Sequence, residues 1–188
     1  MTIRKQLLGD SYGYGRGDSQ TDILIVGGGV GGCAAAMAAT SLGQRVILTE
    51  ETDWVGGQLT SQAVPPDEHS WIEQFGRTQR YANYRYLVRK YYRDHYALTP
   101  KARQNPFLNP GNGFVSRICH EFRVGVAVLD QMFAPARTNG LLEIRLGRRP
   151  VGAETEGDRI RAVTFENLAS GSKETVEAPY IIDATELG

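Results

Sequence analysis

The residues of this chain best suited to chemistry are the ones that lack side chains. Positions 27 to 32 read Gly27, Gly28, Gly29, Val30, Gly31, Gly32, which contains glycines at the G-x-G-x-x-G spacing. Each glycine at that spacing has its own physical task. Gly27 allows a tight turn off a strand, Gly29 lets backbone approach a pyrophosphate, and Gly32 lets the following helix pack against the strand. A helix beginning near Val30 would aim unpaired N–H groups and the positive end of its dipole at that diphosphate. Glu50, 18 residues after Gly32, is placed to accept hydrogen bonds from ribose hydroxyls. A carboxylate there repels a 2′-phosphate, so NADP is disfavoured, and FAD and NAD remain.

The elements that must hold these groups are legible around them. Ile23 to Val26 is an apolar run that enters the turn, Cys33 to Leu42 is rich in small residues, and Gly43 is a helix stop. Val46 to Leu48 is a second apolar run that leads to Glu50. Strand, glycines, helix, strand and acid in that order predict one βαβ unit. Near the other end, Leu141 to Leu146 alternates like a strand that could extend the parallel sheet. Three short strands follow, Val151 to Thr155, Arg159 to Phe165 and Glu174 to Glu177, joined by Glu156-Gly157-Asp158 and by Asn167 to Gly171. A last strand covers Tyr180 to Thr185. A helix over Val126 to Phe133, ending before Pro135, has the small and apolar positions to cover the sheet.

Glu50-Glu51-Thr52-Asp53-Trp54-Val55-Gly56-Gly57-Gln58-Leu59-Thr60 resembles the pattern E-x-T-D-W-x-G-G-Q-L-T of bacterial FAD-dependent oxidoreductases in the glutathione-reductase-like superfamily. The resemblance covers the chain from Asp22 onward. It implies that Gly56 and Gly57, with Gln58 beside them, close over the FAD diphosphate and ribityl chain, where side-chain-free backbone can come close. It implies a β-meander crossover and a final strand, here ending Ala184-Thr185-Glu186-Leu187-Gly188, near the cofactor. It also implies a longer protein, of which this chain is an N-terminal portion and an incomplete domain. The expected fold class is therefore α/β: an FAD-type Rossmann parallel sheet with a meander crossover and a helical insertion. The expected function is flavin-dependent oxidation or reduction of an unidentified small molecule, with FAD as cofactor, adenosine ribose on Glu50 and diphosphate over Gly27 to Gly32. The flavin carries the redox step, so no acid–base pair is required, and the sequence names no catalytic residue. Two alternatives stand beside this: an NAD-binding dehydrogenase, and a truncated, non-catalytic dinucleotide-binding subunit.

Composition frames these expectations. With 21 basic and 21 acidic residues the chain is neutral, which argues against nucleic acid as a partner. No apolar stretch approaches the roughly 18 residues needed to span a bilayer. Met1 to Gln20 lacks the apolar core of a signal peptide, so residues 1–20 are expected to be a flexible lead-in to a cytoplasmic protein whose FAD-binding domain occupies 21–188. Cys33 and Cys119 are the only cysteines. They form no C-x-x-C pair, and Gln58, Leu59 and Thr60 stand where flavin disulfide reductases carry a redox cysteine, so dithiol chemistry is not expected. Cys33 is expected to be a buried packing residue. With three histidines, no metal site is predicted.

The insertion, about 61–124, is the least conventional part. From Arg77 to Tyr96 it holds six of the nine tyrosines and five arginines. On a helix, Tyr81, Tyr84, Val88, Tyr91, Tyr92 and His95 share one stripe, and Arg85, Arg89 and Arg93 an adjoining one. Buried tyrosine rings with solvated arginines is the plain expectation; contact of Arg85 and Arg89 with an anionic small molecule is the functional one. Cys119 and His120 form a further candidate pair, although adjacent residues seldom converge.

Overall fold

The computed structural model describes residues 19–186. Its strands and helices, in chain order, are β1 (Ser19–Gln20), β2 (Ile23–Val26), α1 (Val30–Ser41), β3 (Val46–Glu50), α2 (Gln79–His95), α3 (Pro100–Gln104), α4 (Phe122–Thr138), β4 (Leu142–Leu146), β5 (Arg148–Glu156), β6 (Arg159–Asn167), β7 (Lys173–Glu177) and β8 (Tyr180–Asp183). Four strands form a parallel sheet in the order β4-β3-β2-β8. The short apolar runs of the sequence are its inner strands. β2 pairs with β3 on one side and β8 on the other, Leu24 lying opposite both Ile47 and Ile181.

Both faces of this sheet are buried, as parallel strands require. Ile25, Val46 and Leu48 point to one side and pack with Cys33 and Ala36 of α1, Tyr84 and Val88 of α2, and Val128 and Phe133 of α4. Leu24, Val26 and Ile47 point to the other and pack with Val163, Phe165 and Val176 of the second sheet. That second sheet has the order β1-β7-β6-β5, with β5, β6 and β7 antiparallel. The result is three layers: helices, parallel sheet, meander.

Several boundaries differ from the sequence expectation. β3 runs through Glu50, which places that acid on the strand end itself. α4 starts at Phe122 and continues past Pro135 to Thr138. Pro135 and Gln131, the residue whose carbonyl loses its donor to the proline, are both exposed, so solvent can meet that carbonyl, and the last turn closes with the Asn139 N–H on the Pro135 carbonyl at 3.1 Å. Ser19 and Gln20, the last two residues of the expected lead-in, lie in a sheet, paired in parallel with Val176 and Glu177; residues 1–18 lie outside the described residues. The insertion is helical as expected, with Thr78 and Thr99 capping α2 and α3. Among the described residues no helix is long and apolar enough to cross a membrane.

Candidate functional site

The glycine turn connects β2 to α1 at the carboxyl end of the parallel sheet, where open α/β sheets bind ligands. Gly27 has φ +102°, and a Cβ there would stand 2.4 Å from the Ala184 carbonyl oxygen, so the end of β8 rests on this glycine. A Cβ on Gly32 would fall 2.0 Å from the Gly27 carbonyl oxygen, which fixes the close approach of helix to turn. Gly31, by contrast, faces open space. α1 has neither a side-chain cap nor an acid in its first turn, and Val30 is exposed there. Its first N–H groups therefore have no partner within the helix.

Glu50 meets this turn from β3. Its Oε2 accepts the Gly28 N–H at 2.8 Å, and its Oε1 accepts both the N–H and the hydroxyl of Thr52 at 2.8 Å. Gly28 must be glycine for the same reason: a Cβ would lie 2.8 Å from that carboxylate oxygen. Glu51, next along, is half exposed and 3.9 Å from Arg149.

The second glycine pair docks on the first. The Gly56 N–H donates to the Gly28 carbonyl at 2.7 Å, and Gly57 lies against Gly29, its Cβ position 3.1 Å from the Gly29 Cα. Gly56 has φ +112°, and the turn passes into a short 3-10 segment, Gly57–Leu59. Gln58, in that segment, is within 3.4 Å of the Pro65 carbonyl. The Thr60 hydroxyl donates to the Val55 carbonyl at 2.6 Å and closes the turn. Glu186 completes the arrangement from beyond β8. Its carboxylate reaches the Gly29 and Gly57 positions and accepts a hydrogen bond from Gln62. Gln62 and Glu186 have no role in the sequence reading, because proximity in the fold joins them across 124 residues; Thr52 and Thr60 stand in the E-x-T-D-W-x-G-G-Q-L-T pattern without a role of their own. Gly125 did too: α4 approaches so closely that a Cβ there would be 2.6 Å from the Leu59 carbonyl oxygen.

The insertion behaves differently from expectation. Arg85 and Arg89 are 2% and 6% exposed. Arg85 pairs with Glu68 and Glu73, and Arg89 pairs with Glu73 and donates to the Leu108 carbonyl at 2.9 Å. These arginines are neither solvated nor free to receive an anionic ligand; buried carboxylates already neutralise them. Burial works to raise the Glu73 pKa, but the Arg89 and Arg85 charges prevail and hold it below the ordinary carboxylate value. Tyr84 and Tyr92 are buried as the stripe predicted.

Cys119 and His120 do not form a pair. The Cys119 thiol faces the Ser116 carbonyl at 3.7 Å, whereas His120 lies against Tyr84, 2.8 Å from its hydroxyl, with Nδ1 2.9 Å from the Ile118 carbonyl. Burial pushes the His120 pKa down. Cys33 is a buried packing residue whose thiol donates to the Gly28 carbonyl at 3.2 Å; burial drives its pKa up to about 12, so it is no thiolate. A cleft of about 950 Å³ lined by Thr21, Arg45, Arg137 and Arg145 runs along the edge strand β4 from Leu141 to Arg148.

With this geometry in view, the comparison with known proteins is decisive. Residues 22–188 match the family described as FAD dependent oxidoreductase. The chain belongs to that family. Its cofactor is accordingly FAD. Curated relatives match over shorter stretches. A bilirubin reductase of Mediterraneibacter gnavus is 41% identical over 49 residues, 26% of this chain and 8% of that protein. A cinnamate reductase of Clostridium sporogenes is 39% identical over 54 residues, 29% of this chain and 8% of that protein. Among solved structures, the glycerol-3-phosphate dehydrogenase of Bacillus halodurans complexed with FAD shares the fold with a TM-score of 0.54 at 16% identity, covering 88% of this chain and 34% of that one. Mycobacterium smegmatis Sdh1 in the apo form gives 0.54 at 15%, covering 90% and 35%. The chain thus spans about a third of these oxidoreductases.

Proposed function

We propose that this chain supplies the adenosine-diphosphate half of the FAD site in an oxidoreductase that acts on a small molecule. The observation that carries the reading is the meeting of the Glu50 carboxylate with the Gly28 N–H beside a glycine turn whose helix end is uncapped. The residues fit the group. The buried Gly28, Gly29 and Gly57 let the two turns come together where any Cβ would meet Glu50 or Glu186. In this reading Glu50 receives the ribose hydroxyls, Gly29 to Gly32 face the diphosphate, and Gly56 to Gln58 flank the chain that leads to the flavin ring. Bound FAD supplies the two-electron chemistry; the protein's part is to hold it extended and exclude side chains from its path. The substrate remains a small molecule of unassigned charge, since Arg85 and Arg89 are engaged with Glu68 and Glu73. The proposal is of a cytoplasmic protein that works without nucleic acid or membrane as a partner.

The test is a titration of the purified chain, and of the chain with its downstream sequence restored, with FAD and with NAD, followed by flavin absorbance and fluorescence. Flavin uptake, strongest in the restored protein, supports the reading. Tight NAD binding with no flavin uptake overturns it.

A further inference from the structure

We propose that Thr52 is a positioning residue for the adenosine ribose, acting through Glu50. The inference rests on the cofactor reading above and adds to it a residue outside the glycine turns.

Glu50 ends its strand and is only partly buried. A carboxylate on a flexible side chain at such a position samples many rotamers and loses that freedom when it binds a ribose. Here the freedom is already removed. One oxygen is fixed by the Gly28 N–H, and the other takes two donors from a single residue, the Thr52 N–H and the Thr52 hydroxyl, each at 2.8 Å. A carboxylate offers about four lone-pair sites, so three bonds orient it and leave capacity for a ribose hydroxyl. Thr52 is itself anchored. Its hydroxyl lies 2.9 Å from the Trp54 carbonyl, a second acceptor for its one proton, and its own carbonyl faces the Gly147 N–H at 3.4 Å. In this proposal the hydroxyl keeps its proton on Glu50, and the ribose hydroxyl takes the remaining lone-pair site. Glu51 has no comparable clamp.

The experiment measures binding of ADP and of 2′,3′-dideoxy-ADP by ligand-observed NMR titration, which reads weak affinities. The proteins are wild type, Thr52→Val, Thr52→Ser and Thr52→Ala. Thr52→Val keeps the backbone donor and the side-chain shape and removes the hydroxyl. It is expected to weaken ADP binding about three- to tenfold, the scale of one typical net hydrogen bond, and to leave the dideoxy nucleotide within about twofold of wild type. Thr52→Ser is expected to restore ADP binding, and Thr52→Ala to repeat the loss with unchanged melting. Equal losses for both nucleotides, or no loss with ADP, would overturn the proposal, because a merely structural threonine cannot sense ribose hydroxyls. A wild-type chain that binds the two nucleotides equally overturns the cofactor reading itself, and the proposal with it.

Discussion

The glycine turns and the helical insertion solve opposite problems with opposite means. Around Gly27 to Gly32 and Gly56-Gly57 the chain removes side chains so that backbone can meet backbone, and contacts such as Gly56 N–H to Gly28 carbonyl result. In the insertion it crowds side chains together, burying Arg85, Arg89 and Glu68 among tyrosines. In the proposed reading the first region is organised around something to be bound, and its first helical donors are left without a partner in the helix. The second is organised around itself, and its charges are mutually satisfied. A charged cluster on a helix is therefore poor evidence for a ligand, and a run of missing side chains can be good evidence for one.

The sharpest way to break this comparison is Arg85→Ala. If the insertion is self-satisfied, the substitution takes the arginine from the buried Glu68 carboxylate and leaves Glu73 with Arg89, and unfolding should be easier by about 3–5 kcal/mol. Denaturant unfolding measures it, and a loss below about 1 kcal/mol would mean that the arginine is not part of the core. Next in size is Gly32→Ala, whose Cβ would collide with the Gly27 carbonyl. It should cost about 1–3 kcal/mol as an overpacked contact and abolish ADP binding. Gly31→Ala, one residue away in open space, should leave melting within about 1 kcal/mol of wild type. Equal effects of the two would contradict the packing of helix on turn.

A smaller effect concerns pH. Burial lowers the His120 pKa in the folded state, so the unfolded chain binds the proton more readily. Stability should be intact above the ordinary histidine value of about 6.5 and fall as pH drops through it toward the depressed folded value. Melting temperatures between pH 8 and 5 test this, with His120→Asn expected to flatten that part of the profile. The smallest expected change is a gain. Glu186 puts a negative charge against the Gly29 and Gly57 positions, so Glu186→Gln should tighten ADP binding about two- to threefold, in the range of a single charge at a helix end, and leave adenosine unaffected. An equal gain for adenosine would mean that the charge does not act on the phosphates.

The same contrast explains what could be read from the sequence. Gly27, Gly32 and Glu50 were legible because their spacing encodes local geometry: a turn, a helix start and the end of the next strand. The parallel pairing of β2, β3 and β4 followed from the apolar runs, and the meander from its turn residues. Arg85 was misread because its environment depends on Glu68 and Glu73, 17 and 12 residues away in a loop of no regular period. Pro135 was misread because it lies on the exposed side of the helix, where water can meet the Gln131 carbonyl that its missing N–H leaves free. The Glu186 contact depends on side-chain reach across the fold, and the Thr52 clamp, two residues from Glu50, on a turn geometry that no periodicity carries.

The resting of β8 on Gly27 has a consequence for synthesis. The turn that opens the sequence is finished by Ala184, whose N–H bonds the Val26 carbonyl at 2.8 Å, and the neighbouring strand β1 is tied to β7 across a separation of 157 residues at Gln20 and Glu177. At translation rates of about 5–20 residues per second, β2 emerges roughly 8–30 s before its second partner. Through that interval one edge of Ile23–Val26, the most apolar strand of the sheet, has no neighbour and can recruit a strand from another nascent chain. The strand that completes the glycine turn is also the one that ends this exposure.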